Sequence, residues 1–108
     1  MAYDEGLVER IRQIIGEVPA VAEKKMFGGL SFMVSGNYAC GVADTLVVRV
    51  GKENHEAAMA HPHTRVMDFT GRPMKGWVYV DAEGYEEDAD LAYWVQQGVD
   101  HARSLPPK

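Results

Sequence analysis

Residues 24–36 read KKMFGGLSFMVSG and place two adjacent glycines between a basic pair and an apolar run. After the glycines, Leu30, Phe32 and Val34 occupy every second position, which is the period of a β-strand with one buried face. A phosphate-binding loop would need a helix directly after its glycines, so that free backbone N–H groups point at the anion. The pattern therefore favours glycines that permit a bulge or a close backbone approach where a strand begins.

The alternation continues beyond this stretch and predicts an antiparallel meander. Residues 38–42 and 46–50 carry apolar side chains at every second position, and SGN and DT supply turn residues between the segments. Three strands with such short connections are typical of antiparallel pairing. Two further strands are predicted at residues 65–70 and 77–81, joined by the loop GRPMKG.

Three helices are predicted around the strands. Apolar residues spaced by three and four predict an amphipathic helix over residues 4–18, which Pro19 ends. Residues 52–61 are rich in Ala and Glu and predict a short second helix, and a closing helix is predicted over residues 88–103. The sequence therefore predicts an α+β fold with a single antiparallel sheet, the order α-β-β-β-α-β-β-α and helices packed on the sheet.

The length and composition are those of one globular domain with an acidic surface. The chain has 108 residues, 46% of them hydrophobic, which is enough for one core, and we expect a single domain with its core at about residues 7–103. A net charge of -5 opposes broad nucleic-acid binding. The single cysteine excludes an intramolecular disulfide, and the N-terminus lacks a signal-peptide pattern, so we expect a cytoplasmic protein that does not enter a membrane.

The sequence offers no positive support for an enzyme. Cys40 lies in an apolar strand pattern, where a cysteine is usually a small buried hydrophobic residue. His55, His61 and His63 could be imagined around a metal ion, but no carboxylate or thiol lies at a supporting spacing. The motifs GxGxxG, GxSxG and HExxH are absent. We therefore predict no catalytic residue, no metal site and no cofactor.

Basic and aromatic residues give two candidate binding arrangements. A basic patch would form if the strands carried Lys24, Lys25, Arg65, Arg72 and Lys75 to one side, with Trp77 or Tyr79 nearby for stacking. A small-ligand site would instead show a concave pocket, in which Arg49, Arg72 and Tyr79 are the groups to inspect. The candidate binding residues are thus Lys24, Lys25, Arg49, Arg72, Lys75 and Tyr79.

Three stretches resemble the N-terminal domain of the TfoX/Sxy family, bacterial proteins linked to competence regulation. They are residues 24–50, the segment FTGRPMKGWVYV and the final helix with LAYWVQQGVDHA. MFGG and GRPM are the most specific pieces. The positions that match the family pattern, which we interpret as structural, are Met26, Phe27, Gly28, Gly29, Gly71, Arg72 and Met74.

The resemblance implies an α+β fold similar to secretion chaperones and YjbR-like proteins, and it supplies no catalytic residues. TfoX-type regulators carry a second, helical domain after this one, whereas the present chain ends with ARSLPPK just past its last predicted helix. We therefore expect this chain to share the fold of the family, and the resemblance is better evidence for that fold than for a role in competence.

Two functional classes follow from these observations. The first is a non-enzymatic regulatory module that binds a protein partner or forms a homodimer, since a five-stranded sheet leaves two edges and secretion-chaperone folds are dimeric by resemblance. The second is a small-ligand-binding protein or a nucleic-acid-associated regulator that uses a basic patch. The sequence favours the first class.

Overall fold

The computed structural model describes residues 4–26, 28–68 and 71–107. This part of the chain forms a six-stranded sheet with three α-helices and two short 3-10 turns. In chain order the elements are α1 (Glu5–Ile15), β1 (Val21–Met26), β2 (Gly29–Val34), β3 (Asn37–Val42), β4 (Leu46–Arg49), a 3-10 turn (Lys52–Asn54), α2 (His55–Met59), β5 (Thr64–Met67), β6 (Met74–Val80), a 3-10 turn (Ala82–Gly84) and α3 (Asp88–Ser104).

The predicted α+β class with one antiparallel sheet is confirmed, with one strand more than predicted. The additional strand is β1, whose sequence VAEKKM pairs with β2 from Val21 opposite Val34 to Met26 opposite Gly29. The observed order is therefore α-β-β-β-β-α-β-β-α. No residue of β1 is fully buried, so the strand lacks the apolar alternation by which the other strands were predicted.

Several element boundaries differ from the predicted ones. Helix α1 ends at Ile15, three residues earlier than predicted, and β6 begins at Met74, three residues earlier. The predicted strand at residues 65–70 is observed as Thr64–Met67, and its last two predicted residues, Phe69 and Thr70, lie outside the described residues. Such shifts are the usual uncertainty at element ends, where side-chain patterns are weakest.

The strands follow the order β1-β2-β3-β4-β6-β5 across the sheet, and all neighbouring pairs are antiparallel. Strands β1 and β5 therefore form the two edges. The last strand of the chain, β6, lies between β4 and β5.

The helices and one face of the sheet enclose the main core. Helix α3 packs on β3 and β4 and contacts α1, while α2 packs on β5 and β6. Ile11 of α1, Phe32 of β2, Leu46 of β4 and Leu91 of α3 are each inaccessible to solvent. The hydrophobic effect of burying these side chains fixes the helices on this face.

The opposite face carries a second apolar cluster to which none of the described helices contributes. We call this surface the helix-free face. Its centre is buried beneath neighbouring side chains, and a ring of half-buried residues surrounds the centre. The buried members are Tyr38, Ala43, Val47 and Met67, and the half-buried members are Met26, Met33, Met74, Trp77 and Tyr79.

Candidate functional site

The paired glycines lie at the turn between β1 and β2. Gly28 has a φ of 75°, a left-handed conformation that favours glycine. At Gly29 an added Cβ would lie 1.8 Å from the carbonyl oxygen of Val42, so the backbones of β2 and β3 approach closely there. Strand β2 follows the glycines, and no helix begins at this point. The geometry is therefore that of a strand pairing and does not form a phosphate loop.

The other described family-pattern positions lie at strand ends or in a loop. Met26 ends β1, Met74 begins β6, and Gly71 and Arg72 are exposed in the loop between β5 and β6. Phe27 lies outside the described residues.

The candidate basic residues do not form one patch. Lys24 and Lys25 lie on the edge strand β1, whereas Lys75 lies on β6, with three strands between them. At the usual strand spacing this is a separation of about 19 Å along the sheet. Arg65, on the opposite edge strand, contacts both carboxylate oxygens of Asp81 at 2.7 and 3.2 Å. The sheet order therefore separates the cations that a single patch would need.

A groove of about 710 Å³ lies where β4 ends and β6 begins. The turn Lys52–Asn54 forms one wall, and the C-terminal half of α3 forms the other. We call it the β4–β6–α3 groove, and its main lining residues are Arg49, Lys52, Lys75, Trp77, Asp100 and His101.

Hydrogen bonds fasten the first wall of the groove to β6. The carbonyl oxygen of Gly76 accepts from the backbone N–H groups of Val50 and Gly51, at 2.9 and 3.1 Å. The N–H group of Gly76 donates to Nδ1 of His55 at 2.9 Å, and the Asn54 side chain donates to the carbonyl oxygen of Val50 at 3.1 Å. The turn after β4 is thus held in a fixed position.

Arg49 is the central cation of the groove. It pairs across the sheet with Trp77, and its guanidinium carbon lies 5.2 Å from the centre of the indole ring. This distance is that of a cation–π contact. Among the described residues Arg49 makes no ion pair or side-chain hydrogen bond, whereas Arg10, Arg12 and Arg65 each contact a carboxylate.

His101 lies beside Arg49 in the second wall. Burial lowers the pKa of His101, the nearby charge of Arg49 lowers it further, and Glu53 opposes the shift. The ring is therefore held neutral at physiological pH. Its Nε2 atom is buried and has no hydrogen-bond partner within the described part of the chain.

The groove contains only some of the residues predicted to bind. Arg49 and Lys75 line it together, whereas Lys24, Lys25 and Arg72 do not, and Tyr79 instead packs beneath the guanidinium of Arg65 at 5.0 Å. Residues that the sequence did not indicate complete the groove: Lys52, Glu53, Asn54, Gln97, Asp100 and His101. These residues lie in a turn after a strand and on the polar side of a helix, and no sequence pattern predicts that these two segments lie close together.

The cysteine and histidine candidates lie in surroundings that indicate a structural role. Cys40 is fully buried, and burial raises the pKa of its thiol to about 12. The ring of His61 makes a tilted contact with Tyr93 and an edge-on contact with Trp94. Within residues 4–26, 28–68 and 71–107, no three His, Cys, Asp or Glu side chains are grouped so that they could hold a metal ion.

No helix in the described residues has the length and apolar character needed to cross a membrane.

Comparison with known proteins identifies a family. The family model described as the TfoX N-terminal domain matches residues 13–102, which is most of the chain. No curated protein and no solved structure gives a significant match. The matched range begins within α1 and ends within α3, so it includes all six strands. The chain therefore belongs to the TfoX N-terminal domain family.

Proposed function

We propose that this domain is a non-enzymatic regulatory module that binds a protein partner on its helix-free face. The observation that carries the proposal is the second apolar cluster, which none of the described helices covers. A sheet face of this kind normally packs against another layer, because its apolar side chains gain from being removed from water. A partner protein would supply that layer.

The residue types of the helix-free face suit a protein interface. Its half-buried ring consists of three methionines, a tryptophan and a tyrosine: Met26, Met33, Met74, Trp77 and Tyr79. Aromatic residues and methionine are enriched at interfaces, and flexible methionines adapt to irregular partner surfaces. The ring can therefore make contacts that the buried centre cannot.

Three cations at the border of this ring suggest the charge of the partner. Residues paired directly across the sheet share a face, and one such row runs from Lys24 on β1 through Val47 and Tyr79 to Arg65 on β5. Arg49 belongs to the next row, beside Trp77. Arg65 is paired with Asp81, and Asp44 and Asp68 act on Tyr79, so Lys24 and Arg49 are the cations at this border without an ion pair among the described residues. We expect a partner surface with an apolar centre and an acidic rim.

The other parts of the proposal have separate support. The buried, protonated thiol of Cys40 supports a non-enzymatic role, and a single reduced cysteine supports a cytoplasmic location. The resemblance to competence regulators supports a regulatory role.

Affinity capture with matched variants tests the proposal. Immobilised wild-type protein is compared with Met33→Lys, which places a charge on the helix-free face, and with Tyr93→Lys, which places the same charge on an exposed position of α3. We expect a specific partner to be retained by wild type and Tyr93→Lys and lost by Met33→Lys. Thermal unfolding of each variant confirms that it is folded before the comparison.

Hydrogen–deuterium exchange then locates the bound surface. Addition of the captured partner is expected to slow exchange in β4 and β6 and to leave α1 unchanged. A partner that Met33→Lys retains and Tyr93→Lys loses would contradict the proposal, as would protection confined to the helices.

A further inference from the structure

We propose that the β4–β6–α3 groove binds a small organic anion whose phosphate or carboxylate group contacts Arg49 and Lys75. The groove shares Arg49 and Trp77 with the border of the helix-free face, but it lies at the end of the sheet and includes the C-terminal half of α3, which the proposed protein-binding role does not use.

The first argument is the state of Arg49. A half-buried guanidinium has lost part of its hydration. Contacts with a carboxylate or another hydrogen-bond acceptor normally compensate for this loss. Arg49 has neither among the described residues, although three other arginines do. The cation–π contact with Trp77 positions the guanidinium beside the indole ring but supplies no hydrogen-bond acceptor for its N–H groups. The planar fork of a guanidinium matches the two oxygens of a carboxylate or phosphate.

The second argument is the local charge. The groove is lined by three cations, Arg49, Lys52 and Lys75, against two carboxylates, Glu53 and Asp100, in a chain whose net charge is -5. Neither lysine forms an ion pair within the described residues. A locally positive concavity on an acidic protein concentrates anions.

The position of the anionic group follows from the two walls. The C-terminal end of α3 carries partial negative charge and, with Asp100, repels an anion. Arg49 and Lys75 lie instead on β4 and β6. We therefore place the anionic group against β4 and β6, with the remainder of the ligand extending toward the apolar side chains of Trp77 and Leu105.

The size of the groove suits an organic anion better than a bare ion. Its volume of about 710 Å³ lies within the usual range of small-molecule sites, about 300–1,000 Å³, and exceeds the needs of inorganic phosphate. An organic anion with a ring or short chain fills the space between the charged wall and Leu105.

Titration with three probes tests the inference. Phenyl phosphate, benzoate and inorganic phosphate are added to the wild-type protein and followed by isothermal calorimetry and by NMR of the His101 ring. We expect saturable binding of phenyl phosphate or benzoate, weaker binding of inorganic phosphate, and a rise in the pKa of His101 on binding. The preferred probe distinguishes a phosphate from a carboxylate ligand.

Matched arginine variants locate the binding. Arg49→Gln is expected to weaken binding by about ten- to a hundredfold, as the loss of a charge-assisted pair does, whereas Arg103→Gln, an exposed arginine of α3 outside the groove, leaves it unchanged. Lys75→Gln, at an exposed position, provides a second variant that should weaken binding even if Arg49→Gln fails to fold. No saturable binding of either organic probe would overturn the inference, and so would binding that both groove variants retain.

Discussion

Gly29 has no room for a side chain, so the hairpin of β1 and β2 is sensitive to substitution there. A Cβ there would lie 1.8 Å from the carbonyl oxygen of Val42 and 2.9 Å from the Cα of Ala43. Both are backbone atoms, which cannot move without disturbing the sheet. We expect Gly29→Ala to lower the free energy of unfolding by about 3 kcal/mol or more, measured by urea denaturation.

The neighbouring Gly28 provides the control. A Cβ at Gly28 would contact nothing within 4 Å, so Gly28→Ala meets only the cost of a left-handed backbone, about 1 kcal/mol. A greater loss of stability at Gly28 than at Gly29 would contradict our account of the pair.

Cys40 is expected to be unreactive in the folded protein. Because burial raises the pKa of its thiol to about 12, almost none of it is thiolate at neutral pH, and no reagent can reach it without opening the core. We predict that a thiol reagent labels Cys40 only at the rate of unfolding. Rapid stoichiometric labelling in the absence of denaturant would show this prediction to be wrong.

His101 should give the protein a pH-dependent stability. Because its pKa is lowered in the fold from an ordinary value of 6.5, the unfolded chain binds more protons than the folded chain as the pH falls. The stabilisation is thus present above pH 6.5 and is lost as the pH falls through the lowered pKa. We expect His101→Gln to lose less stability than wild type between about pH 7.5 and about pH 5, measured by urea unfolding. Equal losses would contradict this.

Among the secondary-structure elements, α3 can lie close to the sheet because Gly98 has no side chain. A Cβ there would lie 2.2 Å from the carbonyl oxygen of Ala39 in β3. Alanine favours a helix over glycine by about 1 kcal/mol, but the clash would force α3 away from β3. We expect Gly98→Ala to destabilise the protein by about 2 kcal/mol, measured by thermal unfolding.

Gln96→Ala, at an exposed position of the same helix, is the control and should change stability by less than about 0.5 kcal/mol. A stabilised Gly98→Ala variant would mean that the helix and sheet are not in close contact.

Elements with one buried face could be predicted from the sequence, and β1 shows why an exposed strand could not. In β2, Phe32 and Val34 alternate with less apolar residues because one face meets the helices. In β1, by contrast, Glu23, Lys24 and Lys25 are all exposed at the sheet edge. Apart from Val21 and Met26 at its ends, the strand is defined by backbone hydrogen bonds to β2, which side-chain patterns do not report.

At the scale of the whole molecule, the groove could be predicted only in part. Arg49 and Lys75 stood out as cations near predicted strands, but His101 belongs to a helix whose sequence indicates only its apolar side. That α3 would lie beside the end of β4 depends on the packing of α3 across β3 and β4, which is a property of the complete fold.

Homodimer formation remains a prediction, and it concerns the whole molecule. Strands β1 and β5 are the sheet edges, and unpaired edges can pair with a second copy. We expect light scattering to show a mass rising from 12.0 kDa toward twice that value with concentration. If Met33→Lys abolishes the rise, the helix-free face carries the contact, and a rise that persists assigns it to an edge. A constant mass of 12.0 kDa at the highest soluble concentration would contradict the prediction.

The position of β6 between β4 and β5 has a consequence for the order in which a ribosome releases the chain. Strands β1 to β4 can pair as soon as they emerge, but β5 must wait for β6, because β6 separates it from the rest of the sheet. Helix α3 emerges later still, and until then the apolar side of β3 and β4 is open to water. Nascent chains stalled before residue 88 would therefore expose apolar surface and be prone to aggregate. We expect chaperones to bind the protein at this stage.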